Sequence, residues 1–367
     1  MVVRSEVVVV GLGAFGSAAL WRLARRGVAA VGVERHGIGH NHGSSHGLTR
    51  LFRIACMEHP GLARIALKSL ELWTELGAQA GEVLVRQTGC LSTGSPESLP
   101  IRGTIAAATA AGVPVVRLSH DELVARQPQY AGLAPEDVAV WDPGAGICYP
   151  ERNVRAQVAA AQRLGAEVRA HTMVSGIETD RDGVTVHTPT AELRAAQVVV
   201  AAGAALGTLI PGLPITPRPT PLTWFRPRDG ESNDFSLDRF PAFIWHRPGE
   251  QGLWGHGSDE DYGVKIGLER ARSTDQDRAV DELASVVAQA LPGLDPRPAA
   301  VAPCVVTDSP DGQFLVGRLT DPRVIVAGGD SGHGFKHAAG IGELLAQLVV
   351  GESTYCPTDF LDPTRFS

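Results

Sequence analysis

The chain has 367 residues, enough for one large domain or two ordinary ones. Its 40 acidic and 33 basic side chains leave a formal charge of −7 with no basic run, which argues against nucleic acid or an anionic membrane as partner. Hydrophobic residues at 44% and charged residues at 20% exclude general disorder. The five cysteines, Cys56, Cys90, Cys148, Cys304 and Cys356, are odd in number and contain no CxxC pair. A disulfide framework and a zinc ribbon are therefore not expected, and a reducing, cytoplasmic setting is. The apolar run at 7–21 is too short to span a bilayer, and the glycines inside it explain it better than a signal peptide does.

In chain order, residues 7–10 are four valines, as in a buried parallel strand. They run into Gly11-Leu12-Gly13-Ala14-Phe15-Gly16, then a predicted helix over 17–26, then a second strand at 29–33 ending in Glu34 and Arg35. A GxGxxG on its own is weak. Between a strand and a helix, with an acid 23 positions after the first glycine, it predicts a dinucleotide site. Gly11 permits the tight turn, Gly13 lets a pyrophosphate approach the backbone, and Gly16 lets the helix lie close to the strand. The helix N-terminus offers its N–H groups to phosphate, and Glu34 would accept from an adenosine ribose. Residues 151–164 read as a helix, and 168–188 as a small hairpin turning at Asp182-Gly183. Strands at 198–202 and 324–327, each closing on glycine, and a helix over 337–350 complete the same layer.

The stretches 81–150 and 216–309 differ in character and read as a second domain, inserted twice into the first and built on an antiparallel sheet. The first domain then comprises 1–80, 151–215 and 310–367, giving an α/β architecture.

Three constellations invite chemistry. The loop from Gly39 to Arg53 holds Ser44, Ser45 and Thr49, and with His36 it brings together His36, His40, His42 and His46. No metal-ligand spacing supports reading these histidines as a metal site, and a polar loop around a ligand is the better account. Arg50 and Arg53, three apart, would share one face on a helical turn and suit an anion. The second constellation is Cys304 with Ser309-Pro310-Asp311. The third is Gly332-His333-Gly334-Phe335-Lys336 before a helix, where backbone N–H groups and one cation would face an electron-rich ligand.

Taken together, Gly11–Gly16 with Glu34, the block 43–53, Leu70-Glu71-Leu72-Trp73, the Cys304 block and Ser331–Lys336 resemble the monomeric sarcosine oxidase and N-methyltryptophan oxidase family of FAD-dependent amine oxidases. The match runs over essentially the whole chain. The resemblance implies the D-amino-acid-oxidase-like fold, a Rossmann-like FAD-binding domain carrying an antiparallel-sheet substrate domain. It implies FAD linked through the Cys304 sulfur. Arg53 and Lys336 would hold a substrate carboxylate, Arg50 would lie near the flavin ring, and Lys265 would assist oxygen reduction. Ser44, Ser45, Thr49, Val174, Ala202, Gly203, Gly332, His333, Gly334 and Phe335 fall at cofactor-lining positions. Three residues depart from the family pattern on the substrate side: Val306 and Trp254 each stand where a tyrosine is usual, and Glu269 stands where a histidine is usual.

The function expected is oxidation of N-methyl or other secondary α-amino acids, cyclic ones included, to the imine, with O2 reduced to H2O2 by a monomeric enzyme. The alternative is a flavin dehydrogenase or tailoring oxidase of a larger cyclic imino acid. An NAD-dependent dehydrogenase is what the first fingerprint alone would permit.

Overall fold

A computed structural model describes residues 2–230, 234–247, 251–260, 262–269 and 275–366. The strand Val2–Val10 lies between Glu192–Val200 and Ala30–Val33, parallel to both. Glu167–Arg169 extends the sheet beyond Ala30–Val33, and Val324–Gly328 pairs in parallel with the far half of Glu192–Val200. The valine run is buried because the sheet is covered on both faces. Val7 and Val9 join the helix-side core, whereas Val8 and Val10 join a second core with Val184, Val186 and Leu206. The helices Ala14–Arg25, Pro150–Arg163 and Ala338–Val350 supply the first face. The hairpin Gly176–Asp180 and Gly183–His187 pairs antiparallel with the near half of Glu192–Val200 and extends the sheet.

A second eight-stranded sheet draws Cys90–Gly94, Val116–Leu118 and Val138–Asp142 from one stretch of the chain. Leu222–Phe225, Ala242–Trp245, Leu253–His256, Val264–Leu268 and Ala300–Ala302 come from another. It is antiparallel apart from one pair: Ala242–Trp245 runs parallel to Cys90–Gly94, where the two stretches meet. The expectation of an antiparallel sheet is corrected to that extent, because strands from separate stretches need no hairpin to join them.

Period-two alternation decides what this sheet shows to each side. Val264, Ile266 and Leu268 enter an apolar core with Leu283 and Val287 of the helix Gln276–Ala290. Lys265 and Gly267 point the other way, toward the nucleotide-binding body. Lys265 is nevertheless fully buried, because the loop around Gly47–Thr49 closes over it. Among the described residues, no helix is long and apolar enough to cross a membrane.

Candidate active site

The strands of the first sheet end on one edge, where open α/β sheets bind ligands. Gly11 turns there with φ +85°, and a Cβ on it would lie 2.6 Å from the Ala201 carbonyl oxygen. A Cβ on Gly16 would lie 1.8 Å from the Gly11 oxygen, so only glycine allows the helix to start this close to the strand. The helix Ala14–Arg25 begins on Gly13 without a side-chain cap of its own; instead Ala14 N–H donates to Ser45 Oγ at 2.8 Å. Ala202 and Gly203 lie across the turn from Gly11, half-buried.

Glu34 is buried and accepts from Leu12 N at 2.8 Å and His36 N at 2.9 Å, with His40 Nε2 at 3.2 Å. Burial works to raise its pKa, but the His40 and backbone hydrogen bonds outweigh that and hold it below the usual glutamate range. It therefore stands as a fixed anion beside the glycine turn. Arg35 is exposed and Val174 is half-buried, both at the margin. The rings of His36 and His42 stack with centroids 4.3 Å apart, and the His40 ring lies tilted against both.

The two arginines of the loop separate. Residues Arg50–Phe52 form a short strand against Gly146–Cys148, so positions three apart face opposite sides. This overturns the expectation that Arg50 and Arg53 share one face on a helical turn: the segment pairs into a sheet instead of coiling. Arg50 donates to the carbonyls of Thr49 (2.8 Å) and Ser44 (3.0 Å), and its Nη2 lies 4.0 Å from Cys304 Sγ. Lys265 Nζ donates at 2.7 Å to both the Gly47 and Thr49 carbonyls, and it sits 5.0 Å from the centre of the Trp224 ring. Burial, reinforced by Arg50, holds this lysine well below its usual pKa. Thr49 Oγ1 is 2.8 Å from His256 Nε2, and His256 Nδ1 is 2.7 Å from the Gly257 oxygen. Nδ1 therefore carries the proton, Nε2 accepts from the threonine, and burial pushes the imidazole down to about 3. Cys304 is 5% exposed and clusters with Leu222, Trp224 and Val306. Burial raises its thiol pKa, with Arg50 opposing.

A second cationic centre lies on the other side of the Arg50–Phe52 strand. Arg53 and Lys336, both 4% exposed, converge on one oxygen of Glu58. The guanidinium makes a short ion pair with Glu58 Oε1, and Lys336 Nζ lies 3.5 Å from the same atom and donates to the His333 carbonyl at 3.0 Å. Burial works to raise Glu58, but Arg53 and then Lys336 hold it well below the carboxylate range. Burial lowers Lys336, with Arg53 adding to the effect and Glu58 opposing it. Arg53 Nε and Nη1 are buried with no hydrogen-bond partner among the described residues.

Other expected site residues serve the walls. Phe15 packs on Phe314 and Phe335 stacks on Trp73, so only their backbones are free to face a ligand. His333 Nε2 donates to the Gly312 oxygen (2.9 Å), and the ring packs on Phe314. The turn Gly329–Gly332 has positive φ at Gly329, Ser331 and Gly332, and it delivers Gly334 to the start of Phe335–His337. Trp254 lies over Gly267 and donates to the Leu268 oxygen at 2.9 Å. Glu269 sits at the rim, its side chain 39% exposed, 3.8 Å from His246. The residues missed in the sequence are Glu58 and His256, while His46 was noted only as part of the polar loop. His46 is 3% exposed beside Arg50, with an unpartnered Nε2.

These residues fit a flavin dinucleotide: a glycine turn at a helix start, a fixed carboxylate beside it, and Cys304 next to the Arg50–Lys265 cationic cluster. The model of the FAD-dependent oxidoreductase (DAO) family matches residues 6–348, and the chain belongs to that family. Within it, the chain is a member of the monomeric sarcosine oxidase and N-methyltryptophan oxidase group of amino-acid C–N oxidoreductases. It is 32% identical to monomeric sarcosine oxidase of Streptomyces avermitilis, covering 99% of this chain and 98% of that one. It is 27% identical to N-methyl-L-tryptophan oxidase of Salmonella heidelberg, covering 99% of each. The fold matches NikD, an unusual amino acid oxidase of nikkomycin biosynthesis, with TM-score 0.83, 24% identity and 98% of each chain covered. It also matches L-proline dehydrogenase of P. horikoshii with TM-score 0.84, 23% identity, and 100% and 98% covered.

Proposed function

We propose that this FAD-dependent enzyme oxidises N-methyl and other secondary α-amino acids, cyclic ones included, to the imine, with O2 reduced to H2O2. The observation that carries the reading is the convergence of Arg53 and Lys336 on a single carboxylate oxygen, that of Glu58. Two buried cations from opposite ends of the chain, already holding one carboxylate, are suited to holding a substrate's.

Bound FAD supplies the two-electron redox chemistry. The chain's own residues bind and orient. Arg53 and Lys336 would fix the carboxylate and so set the neighbouring carbon. Their positive field also lowers the pKa of the substrate amine, favouring the neutral form whose lone pair the reaction needs. On the other side, Lys265 would stabilise negative charge developing on oxygen, held in place by the Gly47 and Thr49 carbonyls. Cys304, beside Arg50, would carry the covalent link to the flavin. All five cysteines are free and buried, which supports a reducing cytoplasmic setting, and the named relative supports a monomer.

A second reading, a dehydrogenase or tailoring oxidase of a larger cyclic imino acid, draws on Val306 and Trp254. Val306 is an apolar wall beside Cys304, and Trp254 has its one polar atom tied to Leu268. A panel of N-methylated and cyclic amino acids, scored by anaerobic bleaching of the flavin and then by peroxide on readmitting air, tests both. Bleaching by none of them would refute the proposal; bleaching without peroxide would favour the second reading.

A further inference from the structure

The Arg53–Lys336 clamp is occupied by the protein itself. Glu58 Oε1 takes both cations, while its Oε2 is buried and makes no hydrogen bond. Arg53 presents five N–H donors in a planar fork, a shape that pairs with carboxylate through two parallel bonds. Here Glu58 engages only Nη2, and Nε and Nη1 are left buried without acceptors. Leaving buried donors of a charged group unmade is costly. A counterion present only for structure would relieve that cost, and this one does not.

The backbone around Glu58 is held firmly. Ala55 N–H donates to Asp142 Oδ2 at 3.3 Å, Cys56 Sγ lies 3.3 Å from both the Arg53 carbonyl and His337 Nε2, and the Glu58 carbonyl accepts from Gln313 at 3.2 Å. The next residue, His59, stacks on Phe360 at 4.1 Å with the planes 13° apart. What can change is the glutamate side chain, which is 15% exposed and so has a way out.

We infer that Glu58 is a specificity-determining residue that acts as a built-in competitor: its carboxylate holds the clamp until a substrate carboxylate displaces it from Arg53. This rests on the clamp reading above and deepens it. A tethered carboxylate competes at a high effective concentration, so apparent affinity is reduced by the fraction of molecules in which Glu58 occupies the clamp. The device demands a free carboxylate of the ligand. An amine whose acid is masked as an amide cannot take the place of Glu58, whereas a free acid satisfies the fork that Glu58 leaves half used.

The test uses the flavin-loaded enzyme in chloride-free buffer with methoxyacetate, an unreactive carboxylate, and its amide. Binding is read by perturbation of the flavin spectrum and, independently, by the ligand-induced rise in Tm. Glu58→Gln is expected to bind methoxyacetate at least about tenfold more tightly than the wild type and to show a larger Tm rise, with no gain for the amide. Glu58→Asp, which keeps the charge but shortens the reach, is expected to fall between the two, and it serves if Glu58→Gln does not fold. Binding of methoxyacetate by Glu58→Gln, or by Glu58→Asp where the first does not fold, that is no tighter than the wild type's would overturn the role of Glu58 alone. No binding of methoxyacetate to wild type or variants would overturn the clamp, and this inference with it.

Discussion

Replacing Lys265 by methionine keeps the length and apolar stem of the side chain and removes its charge. The side chain is fully buried and its Nζ is tied at 2.7 Å to two carbonyl oxygens, so it is held in place near Arg50 and Cys304. A unit charge forming about 4 Å from it, in a medium of effective dielectric near 20, would gain about 4 kcal/mol. Deletion of one preorganised donor elsewhere costs about 3–4 kcal/mol. Either figure predicts reoxidation by O2 slower by roughly 10²- to 10³-fold. Stopped-flow measurement of the two half-reactions separates this from general damage: reduction by substrate should change little, because Arg53 and Lys336 lie on the other side of the Arg50–Phe52 strand. In the proposed role the protonated lysine would be the active form, and burial lowers its pKa. Wild-type reoxidation should therefore decline as pH rises through a value well below the usual lysine range, and the variant should lose that dependence. Equal slowing of both half-reactions, or a variant that keeps the wild-type pH profile, would refute the assignment.

Acid precipitation of the wild type should carry yellow colour with the protein, and Cys304→Ala should release it to the supernatant while the native variant still binds flavin through the Gly11–Gly16 turn and Glu34; colour lost from both would refute the link. Stability should fall in mild acid. Burial pushes His256 down to about 3 and His333 down to about 4, against about 6.5 in the unfolded chain. Between those values the unfolded state binds more protons, so the stabilisation present above about pH 6.5 is lost as pH falls, by at most about 1.4 kcal/mol per unit for each group. Tm measured from pH 7.5 to 4.5 should drop, less steeply in His256→Asn; a flat Tm would contradict this.

How much of the site was legible depended on whether its parts lie close together in the chain. Gly11, Gly13, Gly16 and Glu34 belong to one strand–helix–strand unit, and spacing alone predicts their meeting. Lys265 was reached through the family resemblance and not through spacing, although it is the one charged residue in the strand Val264–Leu268. Arg50 and Arg53 were found, but their relation was misjudged. Spacing of three brings side chains together on a helix and parts them on a strand, and the partner that makes this segment a strand, Gly146–Cys148, lies almost a hundred residues away. Glu58 gave no signal, since an acid five residues after an arginine is ordinary. Its meaning depends on Lys336, which the fold of both sheets delivers. His256 was hidden for the same reason: its partner is Thr49, on the opposite body.

The parting of the two arginines has a chemical consequence. An oxidase of amino acids needs positive charge for two anions at different moments, a substrate carboxylate and reduced oxygen. If one centre served both, the bound carboxylate would neutralise the field that oxygen requires and would raise the pKa of the lysine. Here one strand turns Arg50 toward Cys304, near Lys265, and leaves Arg53 to Lys336 and Glu58, so on the proposed function each centre would have its own task. At the Arg53–Lys336 centre a carboxylate of the chain, Glu58, pairs directly with both cations, whereas Lys265 donates to neutral carbonyls and the nearby Glu151 carboxylate is engaged by the Gly47 N–H. On the proposed function, the first centre would exchange one anion for another, and the second would keep its lysine free of direct pairing with a carboxylate.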